Sequence, residues 1–143
     1  MKYLLDTNVY LGAVRSEGKR ARFPSTFYPL LPATHLSAVV AYELALNAYD
    51  RRTRTLVLEF IRPMRQTGRV VTPTFEDWIM ASEIVTAIGE KERSWRSKLP
   101  ALLNDILIAL SARRIGAMLL TYNRDDFRLI GRYADFSLRV LEG

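Results

Sequence analysis

The sequence predicts an α/β domain of three layers, in which helices cover both faces of a central, mainly parallel sheet of four to five strands. Short aliphatic runs alternate along the chain with longer segments of helical periodicity. Strands that are separated by helices pair in parallel through right-handed crossovers, which place helices on both faces. The chain has 143 residues, of which 49% are apolar, so we expect one domain over residues 1–143 with its own core.

Four short segments and an alternating tail predict the strands. The run Ala117–Leu120 is apolar throughout, which is typical of a strand that is buried on both faces. The tail Phe136–Leu141 alternates as an edge strand does. The other predicted strands are Lys2–Leu5, Thr34–Ser37 and Arg69–Val71.

Local signals predict where several helices begin. Ser37 stands before an apolar run and is a good helix cap. Thr74 and Asp77 have the spacing of a capping box. Pro100 suits the first turn of the helix that contains Asp105, which places Asp105 early in that helix.

Two further expectations concern helix ends and helix faces. An arginine cluster should mark the end of one helix and the connection to the next, and it comprises Arg51, Arg52 and Arg54. In the helix after Thr74, large apolar side chains at helical spacing should face the core, and they include Phe75, Trp78 and Ile79.

The composition excludes several kinds of site. There are no cysteines, which excludes disulfides, thiolate metal sites and cysteine nucleophiles, and fits a reducing cytoplasm. With one histidine, His35, a metal site must use oxygen ligands, which favours Mg²⁺ or Mn²⁺ over zinc. No apolar run approaches the roughly 20 residues of a membrane span, so we expect no membrane partner. The formal charge of +6 favours an anionic partner such as nucleic acid.

Carboxylates stand in apolar surroundings in separate parts of the sequence. Asp6 follows the first predicted strand, Glu43 lies in the second predicted helix, and Asp105 lies in an aliphatic helix. Asn123 and Asp126 follow the fourth strand. Because the carboxyl ends of parallel strands share one edge, we expect these side chains to converge there. Either raised pKa values or a divalent cation would relieve their repulsion. The cation is the simpler answer, and its chemistry suits phosphoryl transfer.

These residues also have purely structural interpretations. Asp6 and Thr7 are good caps for a helix that starts there. Glu43 could lie on an exposed helix face, and His35 is expected to be a structural polar residue rather than a catalytic base. Trp95 stands beside basic residues, where it could stack on a base or pack as a lid on the domain or a partner chain.

Basic residues in two segments are candidates for contacts with an RNA backbone. A proline- and glycine-containing loop and the segment before the Asp105 helix supply them: Arg15, Lys19, Arg20, Arg22, Arg93, Arg96 and Lys98. Binding through such residues should weaken steeply with salt.

Four short motifs occur in a fixed order over nearly the whole chain. They are Leu4-Leu5-Asp6-Thr7-Asn8, then Ser37 with Glu43-Leu44, then Asp105-Ile106-Leu107-Ile108-Ala109, and finally Thr121-x-Asn123-x-x-Asp126-Phe127. Together they resemble the PIN-domain ribonucleases, and among these the VapC-type toxins of type II toxin–antitoxin pairs. The resemblance implies a PIN-like fold and a Mg²⁺-dependent endoribonuclease in which Mn²⁺ can substitute. It also implies an RNA substrate, a cognate antitoxin that blocks the site, and a homodimer.

The resemblance also assigns roles to individual residues. Asp6 and Asp105 would be the chief metal ligands, and Glu43 would bind a second ion or orient the attacking water. Asp126 joins the catalytic set, although Asn123 or Asp125 could contribute instead, so that one ion or two stays open. The groups that would hold the carboxylates or a phosphate are Thr7, Asn8, Ser37, Thr121 and Asn123.

The implied reaction is in-line attack of an ion-activated water on an RNA phosphodiester, which leaves a 5′-phosphate and a 3′-hydroxyl. A PIN-like scaffold that binds RNA or a protein without cutting it is an alternative. A response-regulator-like phosphoacceptor is a further one, but it normally has a late lysine, and no lysine follows Lys98.

Overall fold

Parallel strands form the centre of the fold. The computed structural model describes residues 1–15 and 27–142. Its strands are β1 (Lys2–Leu5), β2 (Thr34–Ser37), β3 (Val70–Val71), β4 (Ala117–Thr121) and β5 (Ser137–Val140). They lie in the order β3-β2-β1-β4-β5, and every neighbouring pair is parallel. The predicted α/β class and its central parallel sheet are therefore confirmed.

Helices connect the strands on both sides of the sheet. Those with described bounds are α1 (Thr7–Arg15), α2 (Ala38–Leu46), α3 (Arg51–Gln66), α4 (Phe75–Lys91), α5 (Leu99–Ile115) and α6 (Arg124–Ile130). Two 3-10 segments, Tyr28–Ala33 and Arg93–Lys98, precede β2 and α5. Among the helices that the structure describes, none is both long and apolar enough to cross a membrane.

The helix starts that were predicted from local signals are observed. The Ser37 hydroxyl accepts hydrogen bonds from the backbone N–H groups of Val39 and Val40 and so caps α2. Thr74 and Asp77 form a reciprocal capping box at the start of α4. Pro100 lies in the first turn of α5, where the missing N–H has no intrahelical partner to lose.

Helix α5 is the centre of the core. Its residues 106–112 are all buried, so this helix is enclosed on every side rather than amphipathic. It packs against α4, α6 and β4. Gly116 ends it with a φ of +67°, a left-handed conformation that glycine adopts without a steric penalty. The chain then enters β4 directly, which fixes α5 relative to the sheet.

The predicted core face of α4 is wrong for the first half of the helix, although Ile88, at the end of the predicted stripe, is buried as expected. Phe75, Trp78 and Ile79 are 74%, 50% and 47% exposed, and the buried side chains of this helix are Ala81, Ile84 and Ile88. Two stripes of apolar residues run along α4 at helical spacing on different sides. The stripe with the smaller side chains is the one that packs inwards.

The predicted position of the arginine cluster is also wrong. Helix α2 ends at Leu46, and the Asp50 carboxylate accepts a hydrogen bond of 2.8 Å from the backbone N–H of Thr53. Asp50 is therefore the cap of α3, and Arg51, Arg52 and Arg54 lie in the first turn of that helix rather than in the connection before it.

The burial difference between two phenylalanines yields a stability prediction. Phe127 is fully buried, whereas Phe75 is 74% exposed. We expect F127A to lower the free energy of unfolding by about 3–5 kcal/mol, because it removes a large core side chain and leaves a cavity. The matched variant F75A should change it by only about 0.5 kcal/mol. Urea unfolding followed by circular dichroism measures both, and similar losses in the two variants would contradict the assigned burial.

Candidate functional site

The candidate site lies between β1 and β4, where the strand order reverses. Chain connections leave this point in opposite directions, which opens a crevice at the carboxyl ends of the strands. Asp6 follows β1, and its backbone N–H donates a 2.9 Å hydrogen bond to the Leu120 carbonyl of β4. Thr121 is the last residue of β4. Both side chains are buried, so the strands themselves fix the floor of the crevice.

The Thr121 hydroxyl connects three parts of this floor. It donates a 2.7 Å hydrogen bond to Asp6 Oδ2, while the backbone N–H of Thr7 donates to Asp6 Oδ1 at 2.8 Å. The same hydroxyl accepts hydrogen bonds from Asn8 Nδ2 at 3.3 Å and from the backbone N–H of Asn123 at 2.9 Å. Thr7 and Thr121 therefore contact the Asp6 carboxylate directly, and Asn8 contacts it through Thr121.

Glu43 enters the crevice from α2 and is held from two other helices. The Thr7 hydroxyl of α1 donates a 2.6 Å hydrogen bond to Glu43 Oε1, and Asn104 Nδ2 of α5 approaches Glu43 Oε2 at 3.4 Å. Glu43 is half-buried. The alternative of an isolated glutamate on an exposed helix face therefore does not describe this residue.

Asp105 and Asp126 form the other half of the cluster. The two carboxyl groups are close enough to share a hydrogen bond. Asn123 Nδ2 donates a 2.9 Å hydrogen bond to Asp126 Oδ2, and Asn123 also caps α6. Asp125 is exposed. Of the three late candidates, Asp126 is thus the carboxylate beside Asp105, and Asn123 is the side chain that orients it.

Burial and neighbouring charges raise the pKa values of the two central acids. The pKa of Asp6 rises to about 6, mainly through burial, with the charges of Glu43 and Asp126 adding and the hydrogen bonds from Thr121 and Thr7 opposing. The pKa of Asp105 rises to about 9, again mainly through burial, followed by the charge of Asp6 and the hydrogen bond and charge of Asp126. Asp105 lies in the second turn of α5, beyond the first turn where the helix dipole acts most strongly. It consequently gains little from that dipole.

The donor chemistry of the cluster fits a hard divalent cation, because every ligand it offers is a carboxylate or amide oxygen. Four acids that influence one another electrostatically also need a positive charge or protons nearby. In the described part of the chain, however, no three acidic or histidine side chains are arranged so that they could hold a metal ion together. Thr7 and Asn104 each donate one hydrogen bond to Glu43, one to each oxygen, so each oxygen keeps a further lone pair.

Ser37 lies in a different environment from the one expected, whereas His35 has the kind of position that was expected. Ser37 is fully buried, and its hydroxyl caps α2, so it acts on Glu43 through the start of that helix rather than by touching a carboxylate or phosphate. His35 lies within β2 opposite Leu4, and its buried Nδ1 has no hydrogen-bond partner among the described residues. This position agrees with a structural role for His35.

The candidate RNA-binding residues are described only in part. Arg93, Arg96 and Lys98 are exposed on the 3-10 segment before α5. Lys98 Nζ lies 5.0 Å from the centroid of the Trp95 ring, and Trp95 packs partly against the core. Lys19, Arg20 and Arg22 lie outside the described residues, as does the side chain of Arg15.

Asn104 is a site residue that the sequence analysis did not single out. Its amide reaches Glu43, which is 61 positions away in the sequence. A polar side chain next to Asp105 in an otherwise aliphatic helix was the available signal. Its partner depends on how α5 packs against α2, which sequence periodicity does not specify.

The fold and the site together define a class of protein: a doubly wound α/β domain that gathers carboxylates at its topological switch point. The chain belongs to the PIN domain family, because the PIN domain model matches residues 3–133. The resemblance drawn from the four motifs is confirmed at this level. PIN domains of VapC toxins are nucleases in general, and PIN domains typically use divalent metals.

Solved structures with the same fold are complexes. A structure of VapBC2 from Rickettsia felis bound to a promoter DNA fragment matches with a TM-score of 0.64 and 18% identity, covering 99% of this chain and 100% of that chain. FitAcB from Neisseria gonorrhoeae matches with a TM-score of 0.62 and 20% identity over 95% of both chains. DNA-bound VapBC from Salmonella typhimurium matches with a TM-score of 0.62 and 20% identity over 98% of both. At identities this low, the structural matches show a shared fold and nothing beyond it. No curated protein is significantly similar to the chain in sequence.

The raised pKa of Asp105 predicts how stability changes with pH. Its value of about 9 in the folded protein compares with 3.8 for an ordinary aspartate, so the folded state binds more protons than the unfolded chain between these values. The free energy of unfolding should therefore fall as the pH rises through this range. In EDTA, D105N should gain at least about 1 kcal/mol relative to the wild type between about pH 5 and about pH 8, since one pKa unit corresponds to about 1.4 kcal/mol.

The matched control for this prediction is D125N, which removes an exposed carboxylate from α6. Urea unfolding at both pH values should show a nearly constant difference between D125N and the wild type. A constant difference for D105N as well would contradict the raised pKa of Asp105.

Proposed function

We propose that this chain is a metal-dependent endoribonuclease and that it acts in the cytoplasm as the toxin of a toxin–antitoxin pair. The observation that supports the proposal is the convergence of Asp6, Glu43, Asp105 and Asp126 from four separate segments on the switch point between β1 and β4. Membership of the PIN family supports the nuclease class. The VapBC complexes that share the fold support the toxin assignment and an antitoxin partner.

The proposed cation is Mg²⁺, with Mn²⁺ as a substitute, and its proposed ligands are Asp6, Asp105 and Glu43. Because the described residues do not already surround one metal position, these side chains would have to move towards the ion as it binds. A hard dication bound there would neutralise the carboxylates, stabilise charge on a phosphate and favour deprotonation of a water. Asp126, beside Asp105, completes the proposed catalytic set, with Asn123 orienting it. If the site bound two ions rather than one, Asp126 or Glu43 would be the ligand of the second ion.

The other proposed roles are those of side chains that orient the acids and handle the attacking water. Thr7 and Thr121 hold the Asp6 carboxylate in one orientation through hydrogen bonds to its two oxygens. Glu43, fixed by Thr7 and Asn104, is placed to orient a water or accept its proton. Asp105 and Asp126 lie close enough to form a hydrogen bond, which orients the two carboxyl groups towards each other. These groups act on the phosphodiester of single-stranded RNA.

Protein partners are proposed from the exposed apolar side chains. Tyr42, Leu46 and Tyr49 are 59%, 61% and 85% exposed on α2 and the turn that follows it. A cluster of large exposed apolar residues is typical of a protein-binding surface, and this one stands on the helix that carries Glu43. We assign it to the antitoxin, which would thereby reach the site. The exposed stripe of Phe75, Trp78 and Ile79 on α4 is the proposed contact of a homodimer.

A non-cleaving PIN-like module that binds RNA or a protein is the second candidate function. The observation in its favour is that no three acids in the described residues are arranged around a common metal position. Such a module would bind RNA equally well with and without divalent cations and would release no new RNA ends.

The removal of Asp6 tests the nuclease proposal directly. We expect D6N to lower the initial rate of cleavage of single-stranded RNA by at least about 100-fold, because it removes a proposed ligand of the cation that would stabilise charge on the phosphate. The matched variant D125N, whose carboxylate is exposed nearby, should retain the wild-type rate. The readout is the appearance of new RNA ends on a denaturing gel. Wild-type rates in D6N, or in excess EDTA, would refute the assignment.

A separate measurement tests cation binding without any catalytic readout. Mg²⁺ should raise the thermal unfolding midpoint of the wild type and of D125N, since a ligand that binds only the folded state stabilises it by about 2.7 kcal/mol at 100 times its dissociation constant. The D6N variant should gain much less from the same titration. Equal stabilisation of all three proteins would place the ion elsewhere.

A further inference from the structure

Helix α3 carries an unusual concentration of positive charge. Its 16 residues, RRTRTLVLEFIRPMRQ, include five arginines and one glutamate and so contribute a formal charge of +4, compared with +6 for the whole chain. Neither the acidic crevice nor the proposed protein-binding surface on α2 accounts for this charge.

Four of these arginines lie on one face of the helix. Arg51, Arg54, Arg62 and Arg65 are separated by 3, 8 and 3 positions, which places them along a single ridge of an α-helix. All four are exposed. A neighbouring face packs against the core through Val57, Phe60, Ile61 and Met64. We refer to the four arginines as the arginine stripe, and at 1.5 Å per residue it is about 21 Å long.

The charges of the arginine stripe are not neutralised within the described part of the chain. The ion pairs found there are Arg114–Asp77 and Arg132–Glu92, and neither includes a stripe residue. Glu59, the one acid of α3, lies beside the stripe without forming an ion pair in this structure. Arg54 makes a long contact of 3.4 Å to the Ala45 carbonyl. Like charges along one helix face repel one another, so an anion that binds there relieves this repulsion.

We propose that the arginine stripe binds the phosphate backbone of RNA and thereby holds the substrate beside the site. This inference rests on the proposed ribonuclease function and adds a contact surface to it. Guanidinium groups bind phosphate oxygens in a bidentate manner, and a basic ridge along one helix is the electrostatic pattern of a nucleic-acid contact. Helix α3 packs against α2, which carries Glu43.

The make-up of the stripe favours RNA over an acidic protein segment. Protein interfaces depend on large aromatic and apolar anchors at their centre. Within the stripe the one apolar side chain is Leu58, which is 45% exposed. The exposed tyrosines, Tyr42 and Tyr49, belong to α2 and the turn after it. The stripe thus offers four guanidinium groups and one aliphatic side chain, with no aromatic anchor.

The test compares two triple variants that lose the same charge. R51Q/R62Q/R65Q removes three stripe arginines and spares Arg54, which contacts the Ala45 carbonyl. The control, R113Q/R128Q/R139Q, removes three exposed arginines from other elements. Binding of each protein to a fluorescein-labelled single-stranded RNA is measured by anisotropy in EDTA over a series of salt concentrations, and circular dichroism verifies that both variants are folded.

We expect the plot of log affinity against log salt to be less steep for the stripe variant, with a slope smaller in magnitude by about 2. Each of the three lost phosphate contacts accounts for about 0.7 of this change. The control should keep a slope close to the wild-type value. In cleavage assays with Mg²⁺, the stripe variant should show a raised KM and an unchanged kcat, because the chemical groups are intact.

The outcomes separate this inference from the proposed function. If the wild type cleaves RNA but the stripe variant keeps the wild-type slope and KM, the stripe proposal is overturned, and an acidic protein segment becomes the better partner for it. Equal losses in the stripe variant and the control would also overturn it, because net charge alone would then explain binding. If stripe-dependent binding occurs without any cleavage by the wild type, the nuclease proposal fails and the RNA contact stands.

Discussion

Four carboxyl groups repel one another at the edge of the sheet, because all are ionisable and all are at least partly removed from water. They belong to Asp6, Glu43, Asp105 and Asp126. Burying like charges costs free energy, which the fold offsets with a rigid base. Strands β1 and β4 are joined by parallel pairing over four residues, and the last paired residues, Leu5 and Leu120, are almost fully buried. The carboxylates therefore cannot move apart without disrupting the core.

The side chains that hold the carboxylates also begin or end elements of secondary structure. Thr7 is the first residue of α1, Thr121 is the last of β4, and Asn123 caps α6. Each uses its backbone to start or finish an element and its side chain to orient an acid. Because a cap has a fixed backbone geometry, the hydrogen bonds to Asp6, Glu43 and Asp126 are set by the local fold. Stability and the orientation of the site thus depend on the same residues.

How far the sequence predicts this structure depends on the range of each signal. Caps at Ser37 and Thr74 act within three residues, so they were found correctly. The face that α4 buries depends on the surface of α5, and large side chains such as Trp78 were wrongly placed in the core. The convergence of the acids was expected because the carboxyl ends of parallel strands share one edge, whereas the contact between Asn104 and Glu43 needed the packing of two helices. Helix-to-helix contacts were therefore the part that a single sequence could not supply.

The two charged regions of the molecule impose opposite requirements on a polyanion. The arginine stripe attracts phosphates over the length of α3, while the crevice between β1 and β4 repels them as long as its acids are ionised and not neutralised. Attraction by exposed arginines is screened by salt, whereas the repulsion inside a half-buried crevice is screened much less. A positive charge in the crevice removes the repulsion and leaves the attraction unchanged. Association with RNA and access of its phosphate to the acids are therefore separable steps, governed by ionic strength in the first case and by protons or a bound cation in the second.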